Sequence, residues 1–95
     1  MTRKKVIKVK VEINKIEGAI KCRRDLVREN LRLAMKHLRI AIKKFREKEY
    51  QDCEEYLYTA KIDIVLAKQE IHEIIGIQEV LEYLRERVKE YDRRD

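Results

Sequence analysis

Arg23, Asn30, His37 and Lys44 recur every seven positions between Ile20 and Phe45. All four fall inside an otherwise apolar helical arc, and polar groups on a packing seam need partners. Such a row can line an anion or ligand groove between helices. It can equally fix the register of a helix pair, as polar residues do at seam positions of coiled coils. Glu70-Ile71-His72-Glu73 gathers three metal-capable side chains, yet Gln69 stands where a di-iron helix carries the Glu of its Glu-x-x-His pair. Cys22 and Cys53 have neither CxxC spacing nor a nearby His to complete a metal set, and read as reduced, partly buried thiols. Thr2 and Thr59 are the only Ser/Thr hydroxyls, and no Gly-rich phosphate loop exists. The expectation is no catalytic residue, no metal and no cofactor.

A second set is basic. Arg28, Arg32, Lys36, Arg39, Lys43 and Arg46 share one face of a helix, a row of phosphate-seeking charges with no base-reading motif beside it. Tyr50, Tyr56 and Tyr58 follow closely, and aromatics beside cations can stack single-stranded bases, or simply pack a hairpin end. Arg32-Leu33-Ala34-Met35-Lys36-His37 has Arg-x4-His spacing, which resembles the motif of HEPN-type helical ribonucleases. That resemblance implies a dimer in which paired Arg32 and His37 side chains would cut RNA.

These residues need helices to position them. Val27, Leu31, Ala34, Leu38, Ala41, Ile42 and Phe45 share one helical face, with Leu26, Leu33 and Ile40 beside it, so a helix is predicted over 15–46. Glu47-Lys48-Glu49 is the polar break where the chain turns. Beyond it, Tyr50, Cys53, Leu57, Ala60, Ile64, Ala67, Ile71 and Ile74 step 3, 4, 3, 4, which predicts a second helix over 50–75. The apolar stripe then changes azimuth at Gly76, which predicts a cap or kink there and a further helix over 77–92. Residues 6–13 are ambiguous. Ile7, Val9, Val11 and Ile13 alternate with charges as in a strand, whereas Val6, Val9, Ile13, Ile16 and Ile20 form a helical seam. Asn14 and Glu17 suggest a capping box.

The 95 residues suffice for one small domain. Charged and hydrophobic residues make up 44% each, so the chain can build a core, and two Gly with no Pro leave too few turns for a sandwich or barrel. No apolar run could span a bilayer, the basic start does not lead into a signal-type apolar stretch, and the Lys/Arg/Glu-rich composition is thermophile-like. Charge is segregated: residues 1–48 hold 17 Lys and Arg against 5 Asp and Glu, and residues 49–95 hold 7 against 13. In an antiparallel hairpin this would match Arg46 with Asp52, Lys43 with Glu55, Lys36 with Asp63 and Arg28 with Glu70, leaving Arg32 and Arg39 without acids.

The expected fold is all-α: a long antiparallel hairpin with a C-terminal helix after Gly76. Because both long helices are apolar on two sides, a homodimeric four-helix bundle is expected. The leading functional expectation is a non-enzymatic, cytoplasmic interaction module that oligomerises and engages protein. The alternative is sequence-nonspecific nucleic-acid binding along Arg28 to Arg46, and the third is a HEPN-like ribonuclease.

Overall fold

The computed structural model describes residues 2–94. It contains two helices, α1 (Arg3–Arg46) and α2 (Tyr50–Arg94), packed along their whole length as a hairpin of 70 × 15 × 14 Å. No strand occurs among the described residues. The period-2 pattern of 6–13 therefore gives way to the heptad seam. A lone strand would leave its backbone groups unpaired, whereas the helix satisfies them internally and buries Val6. The helix starts earlier than the Asn14 box suggested. Thr2 is the N-cap, and its hydroxyl accepts from the Lys5 N–H at 3.3 Å.

The turn falls where the polar break predicted it. The Glu49 N–H donates to the Lys44 carbonyl (2.9 Å) and the Lys48 N–H to the Phe45 carbonyl (3.0 Å). This is a Schellman cap, closed by Lys48 in the left-handed region at φ 62°. The Glu49 carbonyl then accepts from the Cys53 N–H at 3.0 Å and opens α2.

The separate helix expected over 77–92 does not exist, because α2 runs unbroken through Gly76. Neither glycine has positive φ, and a Cβ at Gly18 or Gly76 would meet nothing within 4 Å. The two glycines are thus tolerated, with no close approach and no left-handed backbone to explain them. What changes at Gly76 is the location of the apolar residues. The seam on α2 passes through Cys53, Tyr56, Ala60, Asp63, Ala67, Glu70, Ile74, Ile77, Leu81, Leu84, Val88 and Tyr91, in steps of 3 and 4 throughout. All twelve are buried or half-buried. From Ile74 onward the seam is apolar. Before it, every second seam position is polar or aromatic, and the aliphatic residues Leu57, Ile64 and Ile71 sit one position to the side.

α1 does the same in mirror order. Val6, Val9, Ile13, Ile16 and Ile20 fill the seam near the open end, and Arg23, Val27, Asn30, Ala34, His37, Ala41 and Lys44 fill it near the turn. The hairpin therefore has two halves. The open-end half is an ordinary apolar two-helix seam. The turn half closes on Ala34, Ala41, Ala60 and Ala67, each no more than 3% exposed. Alanines let the helices approach closely but bury little area each.

Candidate functional site

The polar row lies on the seam itself. Nδ1 of His37 is 2.7 Å from Oδ2 of Asp63, and the His37 ring stacks on Tyr56 with centroids 6.2 Å apart. Arg23 donates to Glu70 at 3.0 Å and reaches Glu73 at 3.4 Å. Lys44 pairs with Glu49 at 2.9 Å across the turn. The hydrogen bond from Lys44 holds the Glu49 carboxyl below its usual range and raises the Lys44 ammonium above its own. Asn30 is half-buried in the same row. No buried side-chain N or O among the described residues lacks a partner. Three of its four members, Arg23, His37 and Lys44, are held in internal pairs, the chemistry of a register-setting seam.

The expected flanking bridges are replaced by these. Asp63 and Glu70 are taken by His37 and Arg23, so Lys36 and Arg28 do not reach them. Arg28 binds its own neighbour Asp25 at 3.4 Å, and Lys43 lies 4.0 Å from Glu47. Arg32, expected to lack an acid, holds Glu29 at 2.6 Å. This pairing raises the Arg32 pKa and lowers that of Glu29. The reason is rotational: the basic residues sit on the side of α1 turned away from α2, where only acids of their own helix are within reach. All six, Arg28, Arg32, Lys36, Arg39, Lys43 and Arg46, are exposed, and Lys36, Arg39 and Arg46 form no ion pair among the described residues.

Arg32 and His37 diverge within one chain. Arg32 points to solvent with Glu29, while His37 is held in the seam by Asp63. His72 is exposed, and no group of three or more His, Cys, Asp or Glu among the described residues could hold a metal ion. Cys22 and Cys53 are both free, Cys22 exposed and Cys53 half-buried in the seam. Among the described residues, no helix is long and apolar enough to cross a membrane.

The apolar residues pushed off the seam form the largest surface feature. Nineteen large hydrophobic side chains are 38–65% exposed, and fifteen of them lie between Leu26 and Ile75, in the turn half. On one broad face of the hairpin, α1 contributes Leu31, Met35, Leu38, Ile42 and Phe45, and α2 contributes Tyr50, Leu57, Ile64, Ile71 and Ile75. The antiparallel register interleaves them into one band, and Phe45 meets Tyr50 edge-to-face at 6.0 Å where the band reaches the turn. The opposite face carries a thinner set, Leu26, Ile62 and Leu66 beside half-buried Leu33 and Ile40.

The band was visible in the sequence as two apolar stripes, although it was expected partly as the hairpin seam. Among family models, curated proteins and solved structures, none matches this chain.

Proposed function

We propose that the protein is a non-enzymatic helical interaction and oligomerisation module that works by covering its apolar band with other helices. One observation carries this reading. The chain exposes 7828 Å², whereas a compact monomer of 11.6 kDa exposes about 5,800 Å². Fifteen of the nineteen exposed large hydrophobic side chains lie in the turn half, a patch of the kind that marks interaction sites. The polar seam supports the same reading, since it directs the aliphatic side chains outward and spends its own interior on register.

Light scattering at micromolar concentration tests this. A mass well above 11.6 kDa is expected, and it should fall to one chain in the double variant Leu38→Glu, Ile64→Glu. A wild-type protein that is a stable, fully helical monomer would defeat the reading.

A second reading is supported by the outer face of α1. Among the described residues, Lys36, Arg39 and Arg46 form no ion pair, and the acidic helix lies on the other side. Sequence-nonspecific binding of nucleic acid along Arg28, Arg32, Lys36, Arg39, Lys43 and Arg46 would use them. Titration of labelled RNA and duplex DNA against salt tests it. Arg39→Gln with Arg46→Gln should flatten the log–log slope by about 0.9 per lost duplex contact. Absence of salt-sensitive binding by the wild type would remove this reading and leave the first in place.

A further inference from the structure

We propose that the occupant of the apolar band is a second copy of this chain, related by a two-fold axis parallel to the hairpin's length. Both turns then lie at one end, and α1 of each copy packs against α2 of its partner. This rests on the interaction-module reading and deepens it by naming the partner and its direction.

The area suffices. From Tyr50 to Ile75 the band runs ~37 Å at ~1.5 Å per residue, and two helices are ~20 Å wide. That is ~700 Å² from each copy, close to the ~800 Å² that each partner gives to a standard stable interface. The band is also self-complementary in height. Leu31, Leu38 and Phe45 on α1 occupy the same stretch of the long axis as Leu57, Ile64 and Ile71 on α2. Placing α1 over the partner's α2 therefore sets aliphatic residues against aliphatic residues along the whole patch.

Apolar matching alone permits a second arrangement, with the axis across the band and α1 lying on the partner's α1. Charge separates the two. α1 holds 16 Lys and Arg against 4 Asp and Glu, a net +12, and α2 holds 7 against 11, a net −4. The crossed arrangement stacks two strongly cationic helices antiparallel about Leu38, which brings Arg28 and Arg32 of one copy level with the basic stretch Lys43 to Lys48 of the other. The parallel axis alternates basic and acidic helices around the bundle, whereas antiparallel neighbours with opposed helix dipoles are common to both arrangements. It runs the two open-end halves alongside each other, and sets α1 of each copy against the acidic stretch of α2 at 50–75, where 6 Asp and Glu stand against 2 Lys and Arg.

The test is a distance in the assembled protein. Cys22→Ala and Cys53→Ala give a thiol-free chain, the second change only extending the alanines already on that seam. Lys10→Cys then carries a single spin label on an exposed position of the open-end half. With turns at one end, the two labels stand about 15–30 Å apart across a bundle of helices spaced 8–10 Å. In the crossed arrangement they stand ~80 Å apart, because residue 10 lies ~42 Å along α1 from the centre of the band at Leu38. Light scattering is read on the same labelled sample. A mass of two chains with the short separation is the expected result. Two chains with the long separation overturn the arrangement and leave the interaction-module reading standing. One chain overturns both, and a mass above two chains overturns the closed two-copy bundle.

Discussion

His37 and Asp63 meet across the centre of the turn half, 2.7 Å apart and 26 positions apart in sequence, between the buried alanines Ala34, Ala41, Ala60 and Ala67. Each of the two makes the other's burial tolerable. Removing one leaves a desolvated polar group without its partner, at a cost of about 1–3 kcal/mol. Replacing both removes the requirement. His37→Leu and Asp63→Leu singly should each lower the urea midpoint, and together they should match or exceed the wild type. A double variant no better than the worse single one would mean that the pair contributes more than closure of the seam.

Lys48 occupies the left-handed position of the Schellman cap, where a side chain costs roughly 1–2 kcal/mol relative to its usual conformations. Lys48→Gly keeps both cap hydrogen bonds and removes that cost, less the extra chain entropy of glycine. A net gain of about 1 kcal/mol would raise Tm by roughly 4–8 °C. Calorimetry at matched protein concentration checks it.

Gly18 and Gly76 are helical, and no atom outside their own helix lies where a Cβ would stand. Gly18→Ala and Gly76→Ala should each stabilise by about 0.5–1 kcal/mol and, being on different helices, combine nearly additively. Loss of stability at Gly76 alone would indicate that the position is covered in the assembled protein.

The Lys44–Glu49 pair sets a pH window. The Glu49 carboxyl is lowered by its hydrogen bond from Lys44, so its contribution exists above the ordinary carboxylate range and is lost as pH falls through the depressed value. The Lys44 ammonium is raised, so its contribution exists below the ordinary lysine range and is lost as pH rises through the elevated value. The Tm difference between wild type and Glu49→Gln should therefore be largest between about pH 5 and pH 10 and shrink at both extremes. Both groups are exposed, so the difference should be small and should weaken with salt.

Much of the fold was legible in the residues. The helical faces of 15–46 and 50–75, the turn at Glu47-Lys48-Glu49 and four of the seven α2 seam positions from Cys53 to Ile74 (Cys53, Ala60, Ala67, Ile74) follow from spacing alone. The other three were misplaced because a seam is sought among the most apolar positions, and Leu57, Ile64 and Ile71 outrank Tyr56, Asp63 and Glu70. The physical choice here goes the other way: close approach at alanine, with polar partners between. The signal that could have found it was the matching of two heptad rows. Arg23, His37 and Lys44 continue the register of Val9 and Ile16, and Asp63 and Glu70 continue that of Ile77 and Leu84. The apparent break at Gly76 has the same origin, since the apolar residues move there from the flank onto the seam while the helix continues. The outward direction of the basic row was readable, but its lack of cross-helix partners followed only from knowing which side of α1 faces α2.

The division of the hairpin into two halves has a consequence for how the chain folds. Contacts near the turn close short loops, which cost little entropy, but they join alanines and charged pairs and gain little. The strongly apolar contacts, from Ile20 and Ile77 outward to Val6 and Tyr91, close loops of more than fifty residues. The nucleus that is cheapest to form is thus the weakest, and the contacts that would lock it are the most remote in sequence. A second chain arriving on the apolar band would supply the missing gain at the near end. Refolding should accordingly quicken as protein concentration rises, a dependence that stopped-flow fluorescence of the tyrosines would read directly.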